Sequence, residues 1–491
     1  MRDQRIRRGA LILGSFFFLI FGEDLHSAPP GPSGEEIYGW ATVQTGFGPR
    51  RPGTEAMDRA RDHIISQLEE WGYKVWTDSI PFEQYFPERW SLEVVSPNGR
   101  ILESFPMWHS GPTGGDGLTA ELVYVGKGGE RAFGEEDVSG KVVLVSWGHR
   151  FLNLMSLAAF SNSYSRAIEN GARGYIQFYT NTPGNSYQLV FADAGDTGPA
   201  IPGFSIGKED AKDLKRLVRK GDVRVGMELE SEEREALAQN IFAILPGRTE
   251  DIILVDTHYD SIFAGGFDNA SGVASALALA KHFAMKPLEE REKTLVFTFY
   301  GSHEYLIGNC NQGSRKFLDE NPRLAEKVVV AIGLDHMANY PDKEYFGWTT
   351  RIRPMTPIPG MDQPRGIFIT RNFVLNRIVF PAVLKYRLIP FVVFPNRLMD
   401  AINTGNSDEA AGADDNWDSL LLWCICESGP AYRRGVPTVR IMMAPQWYHT
   451  PMDTVDHFSP DRIKRAVDAH IEIIEKVDRT PPEKFRKKKR N

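Results

Sequence analysis

The chain has 491 residues, 42% of them hydrophobic and 25% charged, and carries a net charge of −7. This composition excludes a disordered, collagenous or low-complexity chain and leaves room for a large core or two domains. Cys310, Cys424 and Cys426 are the only cysteines, an odd number that argues against a disulfide scaffold; the last two close the apolar run Leu420 to Trp423 and read as core residues.

Arg2, Arg5, Arg7 and Arg8, the apolar run Ala10 to Gly22, and His26-Ser27-Ala28 before Pro29 and Pro30 have the layout of an export signal. The run is shorter than the ~20 residues of a spanning helix. Residues 1–28 are therefore expected to be cleaved, leaving a secreted or periplasmic protein with no stable membrane span. Their loss removes four arginines and three acids and takes the net charge from −7 to −8. Basic residues gather only in the tail, residues 481–491, so no nucleic-acid partner is expected.

In residues 29–89, Thr54 caps a helix with Met57, Ala60, Ile64, Leu68 and Trp71 at helical spacing; Gly72 ends it before a short strand, Lys74 to Thr77. Residues 90–234 read as a separate, mostly β module of short strands, including Leu122 to Val125, Lys141 to Ser146 and Gly174 to Phe178, with helices near Tyr164 to Glu169 and Glu209 to Arg219. The polar run Ser231 to Arg234 marks its end. Residues 235–480 alternate strands (Asn240 to Leu245, Ile252 to Asp256, Thr294 to Phe299, Val328 to Leu334, Thr438 to Met442) with helices, among them Ser271 to Ala284 and a last helix capped by Ser459. The fold class expected is α/β, a mixed but largely parallel sheet with helices on both faces. The stretch Asn339 to Asn416, rich in Pro and Arg, reads as loops and short elements.

In open α/β sheets, ligands bind just past the carboxyl ends of the strands. Here the strand ends deliver His258 with Asp260, then His303-Glu304, Asp335 and His449, while the loop after His258 delivers Asp268 at the start of a helix. Two imidazoles and three carboxylates suit zinc, and one carboxylate can bridge two ions. Asp268 is the natural bridge, and Asp260 is placed to orient His258. His303-Glu304 is not the start of an HExxH helix, because Ile307 stands where the second His must be.

Five segments carry a resemblance to the dizinc aminopeptidase family, which includes glutamate carboxypeptidase-like enzymes and glutaminyl cyclases: His258-Tyr259-Asp260-Ser261, Phe267 to Gly272, Ser302-His303-Glu304, Gly333-Leu334-Asp335 and Tyr448 to Thr454. Residues 90–234 are similar to a protease-associated domain through Gly140 to Val145, Ala167 to Gly174 and Ile201 to Ile206. The resemblance implies two Zn2+ ions, one held by His258 and Asp335, the other by Glu304 and His449, with Asp268 between them. It implies a peptide substrate cleaved by a metal-bound water, most readily as an aminopeptidase. His303 departs from the family, which has the general-base Glu there; Glu427 stands where the family has an Asp. His303 acting as base, Glu427 substituting for it, and a catalytically silent zinc-binding scaffold are the alternatives that follow. Arg351, Arg353, Arg365 and Arg371 would favour a carboxypeptidase if they gripped a substrate carboxylate, and a glutaminyl cyclase-type transferase is the remaining alternative.

Overall fold

The computed structural model describes residues 31–147, 162–180, 182, 184–192, 198–305, 312–338, 365–389, 391–395, 426–443 and 447–486. The expected export signal, Cys310, Cys424, the run Leu420 to Trp423, Ile307, Arg351, Arg353 and the tail from Lys487 onward lie outside these residues. The strands are β1 (Lys74–Ser96), β2 (Arg100–Ile101), β3 (Ser104–Pro106), β4 (Leu118–Tyr124), β5 (Val142–Trp147), β6 (Gly174–Tyr179), β7 (Gly203–Ile206), β8 (Arg224–Leu245), β9 (Ile252–His258), β10 (Thr294–Tyr300), β11 (Val328–Gly333), β12 (Arg365–Ile369), β13 (Phe391–Pro395) and β14 (Thr438–Met443). They form one sheet in the order β13-β12-β14-β11-β9-β10-β8-β4-β5-β6-β7-β3, with β1 on β8 and β2 on β1.

β14, β11, β9 and β10 run parallel. Every residue of these four strands is buried, the signature of strands covered on both faces. Alternate side chains serve opposite cores. Ile253 and Val255 pack with the helices Gly34–Gly46, Glu55–Glu70, Ser271–Ala284 and Pro460–Arg479. Ile252 and Leu254 pack on the other side with Phe317, Leu318 and Ala431. The mixed, largely parallel α/β architecture expected from the sequence is what the chain adopts. No helix among the described residues is long and apolar enough to cross a membrane.

Local expectations hold where the side-chain period is strong. Thr54 caps Glu55–Glu70 and accepts from the Met57 N–H, and Gly72 adopts φ 81° just past the helix end. Ser459 and Pro460 begin the last helix, which buries Ile463, Val467, Ile471 and Ile474.

Three expectations need correction. The short strand at Lys74 to Thr77 is the first part of the 23-residue β1. β1 pairs antiparallel with the 22-residue β8 from Lys74↔Ile244 to Ser96↔Arg224. The polar run Ser231 to Arg234, expected at a domain end, therefore sits mid-strand in β8, and Asn240 to Leu245 is antiparallel to β10. The stretch 339–416, expected as loops and short elements, supplies the short strands β12 and β13 but also the 13-residue helix Phe373–Lys385. The β1–β8 ribbon leads from the first group of strands to β4, β5, β6 and β7, which are parallel to one another. This second group also has a core on each face, one around Val142 and Leu144 and one around Val143 and Val145.

Candidate metal centre

Since β9, β10, β11 and β14 share one direction, the residues that follow them emerge at one edge of the sheet. His258 closes β9. The chain beyond it is strapped by the buried Arg50, which donates to the carbonyls of Tyr259 (2.7 Å), Ala264 (2.7 Å), Gly265 (3.0 Å) and Gln44 (3.1 Å). Burial lowers the Arg50 pKa to about 10 against the pull of Asp260 and Asp453. Gly265, at φ 56°, turns the chain where a Cβ would stand 2.4 Å from the Asp268 carbonyl oxygen.

Asp268 sits in the wide helical turn Gly266–Ala270. The Asp453 carboxylate accepts from the N–H groups of Phe267 (2.7 Å) and Asp268 (3.0 Å). Asn269 donates to Thr257 Oγ1 (3.0 Å) and the Leu334 carbonyl (3.2 Å), and accepts from the Gly272 N–H (2.9 Å). These bonds link the ends of β9 and β11 to the turn and fix the Asp268 carboxylate over them.

His258 Nε2 lies 3.3 Å from Asp268 Oδ1 and 3.5 Å from Asp335 Oδ1. His449 Nε2 lies 3.5 Å from Asp268 Oδ2 and 2.8 Å from Glu304 Oε2. Ligand atoms thus gather in two groups that share Asp268: His258, Asp268 and Asp335 within 4.8 Å of one another, and Asp268, Glu304 and His449 within the same span. His258 Nε2, both Asp268 oxygens, Asp335 Oδ1 and His449 Nε2 are buried and make no hydrogen bond. Buried polar atoms without partners are costly, and here they converge as nitrogen and carboxylate donors of the kind zinc takes, so the residues fit such ions.

The electrostatics point the same way. Burial disfavours charge on all these groups, yet it is outweighed: Asp260, Asp268 and Asp335 raise the His258 pKa well above the ordinary value, and Glu304 and Asp268 raise that of His449 to about 9. Asp268 is held well below the usual carboxylate range, against burial, by His336, His258 and His449. A pocket of clustered carboxylates that favours positive charge this strongly suits cations.

Asp260 accepts from His258 Nδ1 (3.3 Å) and, on its other oxygen, from the Glu304 N–H (2.7 Å). It therefore orients one residue of each group, more than the single contact expected from sequence. The His303 ring stacks on His258 with centroids 4.1 Å apart, and its Nδ1 lies 3.1 Å from Glu427 Oε1. The other Glu427 oxygen pairs with the Arg440 guanidinium, which also donates to Asp335 Oδ2 at 3.2 Å. Arg365 is buried within β12 and Arg371 is exposed beyond the strand's opposite end, so these two do not form a shared carboxylate grip.

Sequence reasoning missed Arg50, Arg440 and His336. His336, at φ 50°, places Nε2 3.3 Å from Asp268 Oδ2 and 3.5 Å from Asp335 Oδ1, with its ring against Phe267. Its position beside Asp335 was the one signal available. Nothing local in the sequence marks Arg50 or Arg440.

Residues 240–357 match the family model Peptidase family M28. The chain is 24% identical over 434 residues to Aminopeptidase YwaD of Bacillus subtilis, covering 86% of this chain and 80% of that one. It is 31% identical over 192 residues to Probable leucine aminopeptidase 2 of Trichophyton verrucosum, a match that covers 38% of this chain and only 36% of that relative's length. Among solved structures, a peptidase M28 precursor from Shewanella amazonensis superposes with TM-score 0.69 at 19% identity, covering 89% of this chain and 91% of that one. The zinc aminopeptidase BSAP of Bacillus subtilis superposes with TM-score 0.63 at 18% identity, covering 94% and 99%. Family match and fold together bear out the resemblance to the dizinc aminopeptidases carried by the strand-end motifs.

Proposed function

We propose that this dizinc aminopeptidase-like chain is an exported, zinc-dependent exopeptidase that removes residues from the amino ends of peptides. The observation that carries the reading is the pair of ligand groups meeting at Asp268. His258 and Asp335 would hold one zinc, Glu304 and His449 the other, and Asp268 both. Bound there, zinc supplies a Lewis acid that polarises the scissile carbonyl and makes water a nucleophile at neutral pH. The aminopeptidase assignment leans on what the relatives are called. Export leans on residues 1–28, and the reading of residues 90–234 as a protease-associated domain is supported by its own pair of cores.

His303 is the proton acceptor in this reading. Imidazole, with an ordinary pKa of about 6.5, accepts a proton at neutral pH. His303 Nδ1 lies 3.1 Å from Glu427 Oε1, and in this reading the neutral ring takes the proton of the attacking water on a ring nitrogen. Glu427 stands beside the His303 ring, and Asp260 keeps His258 and Glu304 in place. A second reading, a catalytically silent zinc-binding scaffold, is favoured by one observation: the family's general-base Glu is replaced.

Metal content and hydrolysis of a panel of aminoacyl amides, N-blocked peptides and N-terminal glutaminyl peptides, measured on one preparation, test both. The wild type is expected to hold zinc and cleave only substrates with a free amino end. His303→Ala should retain zinc and lose about 10²- to 10⁴-fold in kcat. If His303→Glu raises turnover above an inert wild type, the scaffold reading stands and His303 is not a base.

A further inference from the structure

We infer that the inserted segment supports one half of the metal site more than the other: Trp108 and Leu189 brace the loops that carry Glu304 and His449, while His258 and Asp335 stand at the ends of β9 and β11. This rests on the dinuclear reading above. His449 has φ 55°, a left-handed backbone that a side chain adopts only when its surroundings impose it. Its carbonyl oxygen accepts from the Leu189 N–H at 2.8 Å. Leu189 belongs to the insertion and is fully buried. Its neighbours are tied to Trp108, whose N–H donates to the Val190 carbonyl (2.8 Å) and whose carbonyl accepts from the Ala192 N–H (2.7 Å).

The Trp108 ring in turn packs on Tyr305, with centroids 5.4 Å apart. Tyr305 follows Glu304 directly, and its hydroxyl donates to the Ser261 carbonyl at 2.7 Å. Tyr85, Phe105, Trp108, Leu189, Ile262 and Tyr305 form one buried cluster, so side chains from the insertion and from two loops of the centre share a core. The other group is anchored differently. His258 ends the central strand β9 and Asp335 follows the adjacent β11, with Asp260 and Arg440 as their polar supports.

The test is zinc stoichiometry and affinity, by elemental analysis after dialysis and by competition with a chromophoric chelator, on the full chain. The wild type should bind two zinc ions. Trp108→Ala and Leu189→Pro should keep one at wild-type affinity and bind the second about 10- to 100-fold more weakly, matching His449→Ala in the ion lost. Trp108→Phe, which keeps an aromatic ring against Tyr305, should restore both. A cooperative thermal transition confirms that each variant is folded. If Trp108→Ala unfolds, Trp108→Leu and Leu189→Pro carry the same expectation. Two full-affinity ions in the folded variants, or equal weakening of both, would overturn the inference. A wild type that binds fewer than two ions would instead refute the dinuclear reading.

Discussion

Glu427 is 1% exposed and Arg440 is 1% exposed, so neither charge is solvated and each depends on the other. Arg440 spans Glu427 and Asp335, which joins the support of His303 to a residue of the ligand cluster. Glu427→Gln keeps the shape but removes the charge, leaving Arg440 with Asp335 alone. Breaking a buried pair from one side costs about 3–5 kcal/mol, and urea unfolding should show a loss of that size; an unchanged midpoint would mean that the pairing is not formed. His258, Asp268, Glu304, Asp335 and His449 could be read from the sequence because each follows an apolar strand-like run or its loop. Arg440 could not. It lies inside such a run, at β14, where a charge reads only as an interruption until its partners 13 and 105 positions away are brought to it.

At the scale of elements, the start of the helix Ser271–Ala284 shows why its motif is built as it is. A Cβ on Gly272 would stand 2.3 Å from Asn269 Oδ1, and the same Asn269 ties the turn to β9 and β11. Gly272→Ala must push Asn269 aside. The expected loss is about 1–3 kcal/mol of stability, together with weaker zinc retention, readable by denaturant titration and metal analysis; a fully stable variant with intact zinc would refute it. The β1–β8 ribbon shows the opposite case. Its two strands alternate irregularly between buried and exposed positions, so the period-two signal that marks a strand fades after Thr77. Pro87 beside a register shift further disguises the strand. Ser231 to Arg234 is polar because that part of the ribbon faces solvent, and an exposed mid-strand segment is compositionally the same as a linker.

The whole molecule has a pH liability remote from the centre. His470 is fully buried in the last helix; burial lowers its pKa to about 4, and its Nδ1 donates to the Ala466 carbonyl at 2.7 Å. The unfolded chain takes up this proton near pH ~6.5 while the folded chain resists until about pH 4, so stability falls as pH drops through that window. The contribution is roughly 3 kcal/mol. His470→Leu should flatten the difference in unfolding free energy between pH 7 and pH 4.5 by that order, and an unaltered slope would exclude His470 as its source. By itself the sequence determined the α/β class, the buried central strands, the capped helices and the five ligand types waiting at strand ends, because each depends on residues close together in the chain. Only the tertiary structure decided that Arg440 and Glu427 stand behind the two groups around Asp268, that His336 joins them, and that residues 90–234 reach His449. Those contacts depend on strand order and register, and no local pattern encodes which distant side chains a sheet will set side by side.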